Sequence, residues 1–193
     1  MAESHEIIPT WNARGLLPPI RSSEEPTSVK RSPYEANLLE VVQRFSTSPE
    51  RTAILNGLLR FRRALFDAGL EKGFQWLDGS FFENIEALED RPPRDIDVVT
   101  FFDLKGVNQH YLVEHHSDLF DVEKVRESYR VDGYYFPIPE SPDQYFIRRV
   151  SYWYSLWSHR RDHTWKGFVQ VPLSPDQDSH AQALLNLNGG TRP

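Results

Sequence analysis

The sequence predicts an α+β domain, a small mixed β-sheet with helices packed on it. Three observations lead there. Long amphipathic stretches such as 49–66 repeat their apolar residues at helical spacing. Short runs dense in β-branched and aromatic residues, above all Ile96 to Phe102, stand between them. The order helix, helix, strand, helix, strand, helices, strand, helix, strand gives a small mixed sheet with helices packed on it, an α+β or α/β arrangement. The 193 residues suffice for one domain with a buried core.

Residues 1–33 are rich in Pro and Ser and lack periodicity, so they read as an extended N-terminal arm, with Leu16, Leu17 and Ile20 as points of attachment. A single domain is expected over 34–188, and a disordered tail over 189–193. Tyr34 to Phe45 carries Leu38, Leu39, Val41, Val42 and Phe45 at helical positions. The next helix has the clearest start, with Ser48 as N-cap and Pro49 at the first helical position, and Gly69 is its expected stop. Phe74 to Leu77 is a predicted strand, Gly79-Ser80 a turn into 81–88, and Arg91-Pro92-Pro93-Arg94 a loop. After the strand at Ile96 come helical stretches over 108–117 and 122–129, a strand over 131–138, a helix over 143–157, a strand over 166–173 and a short helix from Ser174-Pro175 through Leu187.

Composition narrows the function classes. The chain has no cysteine, which excludes disulfides and thiolate metal sites and suits a reducing compartment. Apolar runs are too short to span a bilayer, and Glu3, His5 and Glu6 interrupt any signal-peptide pattern, so a cytoplasmic protein without membrane contact is expected. A net charge of −6 argues against a general nucleic-acid coat, and no DNA partner is expected. Five Trp, eight Tyr and twelve Phe imply a strongly aromatic core.

Chemistry concentrates in two segments. Asp95 and Asp97 alternate through a strand start and so point the same way. Two such carboxylates repel unless a cation joins them, and oxygen ligands suit Mg²⁺. The same pattern also arises as two exposed acids flanking a strand end. Gly79 lets a backbone approach a phosphate closely, and Ser80 adds a hydroxyl. An ordinary Gly turn with a Ser cap is the alternative. Asp132, in a separate apolar strand, converges on the same place if that strand lies beside the Ile96 strand; otherwise it is an edge residue. Asp78 precedes the Gly-Ser turn as a support, and Asp103 lies at the far end of its strand. The basic cluster of Arg148, Arg149, His159, Arg160, Arg161, His163 and Lys166, interleaved with Trp153, Tyr154 and Trp157, is either a triphosphate or RNA-backbone surface or a solvated helix end whose aromatics face the core. Lys166 is its strongest phosphate candidate. His110, His115, His116, His159 and His163 lack a third neighbouring metal ligand and read as exposed.

Gly-Ser, a spacer, Asp-x-Asp and a later strand Asp together resemble the nucleotidyltransferase superfamily that includes DNA polymerase β, and in particular small bacterial nucleotidyltransferase-like proteins. The similarity rests on Leu16-Leu17-Pro18-Pro19, Trp76-Leu77-Asp78-Gly79-Ser80-Phe81, Asp95-Ile96-Asp97-Val98-Val99, Val131-Asp132-Gly133-Tyr134-Tyr135-Phe136 and Trp165-Lys166-Gly167-Phe168-Val169, covering most of 14–173. The resemblance implies a polymerase β palm-type core. It implies two Mg²⁺ ions on Asp95, Asp97 and Asp132, with Asp132 activating an acceptor hydroxyl and Gly79 and Ser80 binding the triphosphate. The expected reaction moves NMP, most readily AMP from ATP, to a hydroxyl of a partner protein, a tRNA or a small molecule, and by analogy sits in a toxin–antitoxin or phage-defence system. Two other readings stay open: a non-catalytic nucleotide- or partner-binding regulatory module on the same fold, and an RNA-binding protein using segment 148–166. Oligomeric state is not legible from the residues.

Overall fold

A computed structural model describes residues 7–189. Of the tail expected over 189–193, Gly189 ends the last helix, while 190–193 lie outside the described residues, as do the acidic residues at the extreme N-terminus. The architecture is a five-stranded mixed sheet with helices on both faces. Strand β1 is Tyr34–Glu35, β2 Gly73–Asp78, β3 Ile96–Asp103, β4 Val131–Ile138 and β5 Val169–Pro172. Their spatial order is β1-β5-β2-β3-β4, with β1/β5 and β3/β4 parallel and β5/β2 and β2/β3 antiparallel. Among the described residues the helices are α1 (Leu38–Phe45), α2 (Pro49–Asp67), α3 (Ile85–Glu89), α4 (Gln109–His116), α5 (Val122–Tyr129), α6 (Gln144–Trp157) and α7 (Asp178–Gly189).

Local chemistry explains most boundaries. Asn37 and Glu40 form a reciprocal capping box on α1, each side chain satisfying a backbone N–H that the helix leaves orphaned. Ser48 accepts from Arg51 N at the start of α2, with Pro49 following it, and Gly69 takes φ +86° beyond its end. Asp121 and Asp143 cap α5 and α6 in the same way.

The two faces of the sheet differ. Leu77, Ile96, Val98, Val131 and Val171 project into a large aliphatic core with α1, α2, α5 and α7. Trp76, Val99, Phe101 and Phe136 project the other way, onto Trp153 and Trp157 of α6 and onto Phe168. The aromatics of 148–166 therefore include core residues, as one of the two readings of that segment expects, although Tyr152 and Trp165 remain exposed.

Some expectations need revision. The expected helix over 34–45 is preceded by a two-residue strand, because Tyr34 and Ala36 donate backbone N–H groups to Phe168 O and Gln170 O of the β5 region. Residues 7–33 do lack regular helix and strand, but they are packed into the body rather than an extended arm. Ile8, Leu16 and Leu17 are buried, Trp11 Nε1 donates to Phe82 O, and Gly167 N donates to Leu17 O. The last strand is shorter than 166–173, and the last helix begins at Asp178 rather than Ser174.

Candidate functional site

The register of three strands places Asp78 opposite Asp97 and Asp97 opposite Asp132. Paired residues share a face and bring their Cβ atoms to about 5 Å, so three carboxylates form one row across β2, β3 and β4. Asp95, two residues before Asp97, adds a fourth at the same edge by strand alternation. Like charges directly opposite one another are destabilising. Such a row at one end of the sheet calls for cations.

The backbone beside it is shaped to match. Gly79 has φ +91°, a conformation an L side chain rarely adopts, and a Cβ there would lie 2.9 Å from Asp97 Oδ2. The absent side chain lets the Asp97 carboxylate lie against the turn. Residues 80–82 form a single 3₁₀ turn and α3 is only five residues long, so the turn and not a helix terminus is what faces the acids. Arg51, fully buried at the start of α2, holds that turn: its guanidinium donates to Phe81 O at 2.6 Å, to Glu83 O at 2.7 Å and to both carboxylate oxygens of Glu86.

Above the row opens a cleft of about 850 Å³, within the range of small-molecule sites. It is lined by Gly79, Ser80, Tyr134 and Tyr152 together with Arg91, Arg94, Arg160 and Arg161. Gly79, Ser80, Asp95, Asp97, Asp132 and Lys166 all line this one cleft, with His159, Arg160 and Arg161 of the basic cluster, whereas Arg148, Arg149 and His163 of that cluster do not. Asp103 does not line it.

Lys166 is placed differently from expectation. It precedes β5 instead of opening it, and it is buried, with its ammonium 2.8 Å from Asp78 Oδ1 and 3.3 Å from Glu83 Oε1. Arg160 closes on the other oxygen of Glu83 at 3.1 Å. The lysine charge is thus engaged with protein carboxylates, which assigns it to the floor of the cleft rather than to an arriving phosphate. Asp78, likewise, is half of a buried ion pair.

Arg126 of α5 had no sequence signal. Its guanidinium lies 2.9 Å from Asp132 Oδ2 and 3.7 Å from Asp95 Oδ2. The Tyr134 hydroxyl donates to the same Asp132 Oδ2 at 3.3 Å. Asp132 Oδ1 is buried and has no hydrogen-bond partner. Asp97 has neither an ion pair nor a hydrogen bond among the described side chains. Burial, followed by repulsion from Asp78, Asp95 and Asp132, pushes its pKa up to about 7. Burial and then Asp132 raise Asp95, against the pull of Arg126. Burial raises Asp78 to about 6 even though Lys166 favours its charge. Burial and the neighbouring Asp132 raise the Tyr134 hydroxyl to about 12.

The residues fit a divalent cation by donor chemistry. Carboxylate oxygens are hard ligands suited to Mg²⁺, one of them is a buried orphan, and another belongs to Asp97, whose pKa is raised by burial and then by the neighbouring acids. Among the described residues no three acidic or histidine side chains stand in ready metal-ligand geometry, and Asp95 and Asp132 both lie beside Arg126.

A model for a family of unknown function (DUF6932) matches residues 9–172, and the chain belongs to that family. The matched span contains every residue of the cleft named above and most of the packed N-terminal segment, and it stops before α7. No curated protein and no solved structure matches the chain. Among the described residues no helix is long and apolar enough to cross a membrane.

Proposed function

We propose that this protein is a metal-dependent nucleotidyltransferase with a polymerase β-like core, transferring NMP from a nucleoside triphosphate, with ATP the first donor to test, to an acceptor hydroxyl. The observation that carries the reading is the row Asp78, Asp97, Asp132 across adjacent strands, with Asp95 beside it and Gly79 packed on Asp97. Asp95, Asp97 and Asp132 would hold Mg²⁺. When bound, the ion supplies charge neutralisation of the phosphates and alignment of an in-line displacement.

The chain's own residues have separate tasks. Gly79 and Ser80 offer backbone and hydroxyl groups to a polyphosphate, and Arg91, Arg94 and Arg161 line the cleft with positive charge. Asp132, which lines the cleft and whose Oδ1 lacks a hydrogen-bond partner, accepts the proton of the attacking hydroxyl. A new P–O bond forms to the α-phosphorus, the α–β anhydride bond breaks, and pyrophosphate leaves. Lys166 and Arg51 keep Asp78 and the Gly79-Ser80 turn in place beneath these groups.

The test is transfer of label from α-³²P-ATP with Mg²⁺ to protein, RNA and small-molecule acceptors, beside the Asp95→Ala/Asp97→Ala variant. Labelled product that vanishes in the variant supports the reading. Absence of any magnesium-dependent nucleotide binding by calorimetry would overturn it. A regulatory binding module on the same fold is the second reading, favoured by the engagement of Asp95 and Asp132 with Arg126. Magnesium-dependent ATP binding without product from any acceptor class would select it.

A further inference from the structure

We infer that Arg126 is a resident counter-cation of the acidic site, which an incoming divalent ion must displace from Asp95 and Asp132. The inference rests on the metal-binding reading above and adds how access to that site is controlled.

The geometry supports displacement more than permanent structure. The guanidinium bridges the two carboxylates unequally, at 2.9 Å to Asp132 and 3.7 Å to Asp95, and the arginine side chain is 46% exposed. Arg51, in contrast, has a fully buried side chain and four short bonds. An arginine that is half in water and held by one close contact can leave at modest cost. Its helix cannot follow it. The C-terminal end of α5 is tied to the sheet, where Ile96 N donates to Arg130 O, and is pressed against α2, where a Cβ at Gly57 would meet Tyr129 O at 1.9 Å. Release is therefore a side-chain rotation around a fixed backbone.

The bridge also takes the site's ligands out of use. With Asp132 Oδ2 accepting from both Arg126 and Tyr134, only the buried Oδ1 of that carboxylate is left without a partner. Asp95 is attracted toward Arg126, with Arg94 and Arg91 also nearby. A divalent ion at Asp97 would compete with one positive charge for both neighbours. Removing that charge frees two ligand carboxylates and makes the site one unit more negative.

The experiment measures Mn²⁺ binding to the full chain by electron paramagnetic resonance, with no nucleotide present. Four proteins are compared: wild type, Arg126→Met, Arg126→Lys, and the double variant Arg126→Met/Asp97→Asn. Arg126→Met is expected to bind Mn²⁺ roughly fivefold more tightly or better, the effect of losing a half-exposed ion pair. Arg126→Lys, which keeps the charge but spans only one carboxylate, should fall between. The double variant should lose the gain, locating it at Asp97. A merely structural arginine would give the opposite sign, since loosening the site weakens binding. Unchanged or weaker Mn²⁺ binding in a folded Arg126→Met protein would overturn the inference and leave the metal reading intact. No Mn²⁺ binding in any of the proteins would overturn both.

Discussion

Arg51 and Asp97 are both ionisable side chains drawn largely out of water, and the fold treats them in opposite ways. Arg51 sits under the 80–86 segment with its donors spent on two carbonyls and the Glu86 carboxylate. Arg62, further along the same helix α2, is handled alike: it donates to Asp178, Gln75 Oε1, and the carbonyls of Pro172 and Ser174, fastening α7 and the end of β5 to α2. Asp97 faces three other carboxylates and has no cation of its own. A buried charge that is satisfied holds elements together. One that is left short of partners is a standing cost to the fold, retained where a ligand can supply what is missing.

The comparison predicts opposite outcomes for deleting the two kinds of group. Asp97→Ala should lower nucleotidyl transfer by about 10³-fold or more, the scale for a group acting at the reaction centre, while leaving the thermal midpoint at or above wild type in chelator. Initial rates and a calorimetric scan on the same preparation measure both. A variant that loses stability as well as activity would place Asp97 with Arg51. Arg51→Met should do the reverse, costing about 3–5 kcal/mol in a urea titration because Glu86 and two carbonyls lose their partner. If that cost came out near zero, the satisfied network would not be what holds the turn.

Gly79→Ala tests the join between the two regions. The positive φ and the 2.9 Å approach to Asp97 Oδ2 should together cost about 1–3 kcal/mol and displace the Asp97 carboxylate. Stability should fall less than for Arg51→Met and activity less than for Asp97→Ala, with metal affinity falling too. Unchanged metal affinity would separate the turn from the site.

A pH profile tests the burial of Asp97 among like charges. Asp97 titrates at about 7 in the folded chain against an ordinary 3.8, so the folded state holds its proton more tightly than the unfolded one. Its contribution to stability is fully present below pH 4 and is lost as pH rises through 7. Asp78, raised to about 6, acts in the same direction over a narrower window. Urea titrations in chelator from pH 5 to 8 should show stability falling across that range, and Asp97→Asn should flatten part of the fall, leaving the Asp78 share. A wild-type profile that rises toward pH 8 would mean Asp97 is already paired with positive charge.

Much of this was legible in the residues themselves. Helix α5 and strand β4 coincide with the helical stretch 122–129 and the strand 131–138 that the sequence predicts, because side-chain periodicity and strand preference are local properties. The Asp95-x-Asp97 pair and the Gly79-Ser80 turn were found for the same reason, being contiguous along the chain. What was misjudged depended on distant partners. Strand β1 exists only because β5 accepts it at its edge. Lys166 reads as a phosphate candidate in the sequence, which does not show that Asp78 and Glu83, more than eighty residues earlier, fold against it. Arg126 looked like one more basic residue on an amphipathic helix, and nothing in its neighbourhood along the chain distinguishes it from Arg130.

By itself the sequence determined the class of fold, the position of most elements and the presence of an acidic strand edge beside a glycine turn, since each follows from side-chain periodicity or backbone preference within a few residues. Tertiary structure alone decided that Asp132 joins Asp97 through the parallel β3/β4 register, that Asp78 and Lys166 form the floor, and that Arg126 sits between Asp95 and Asp132. Charge acts through space over a few ångströms and disregards distance along the chain, so which acids are compensated and which are left wanting a cation is settled only when the strands come together.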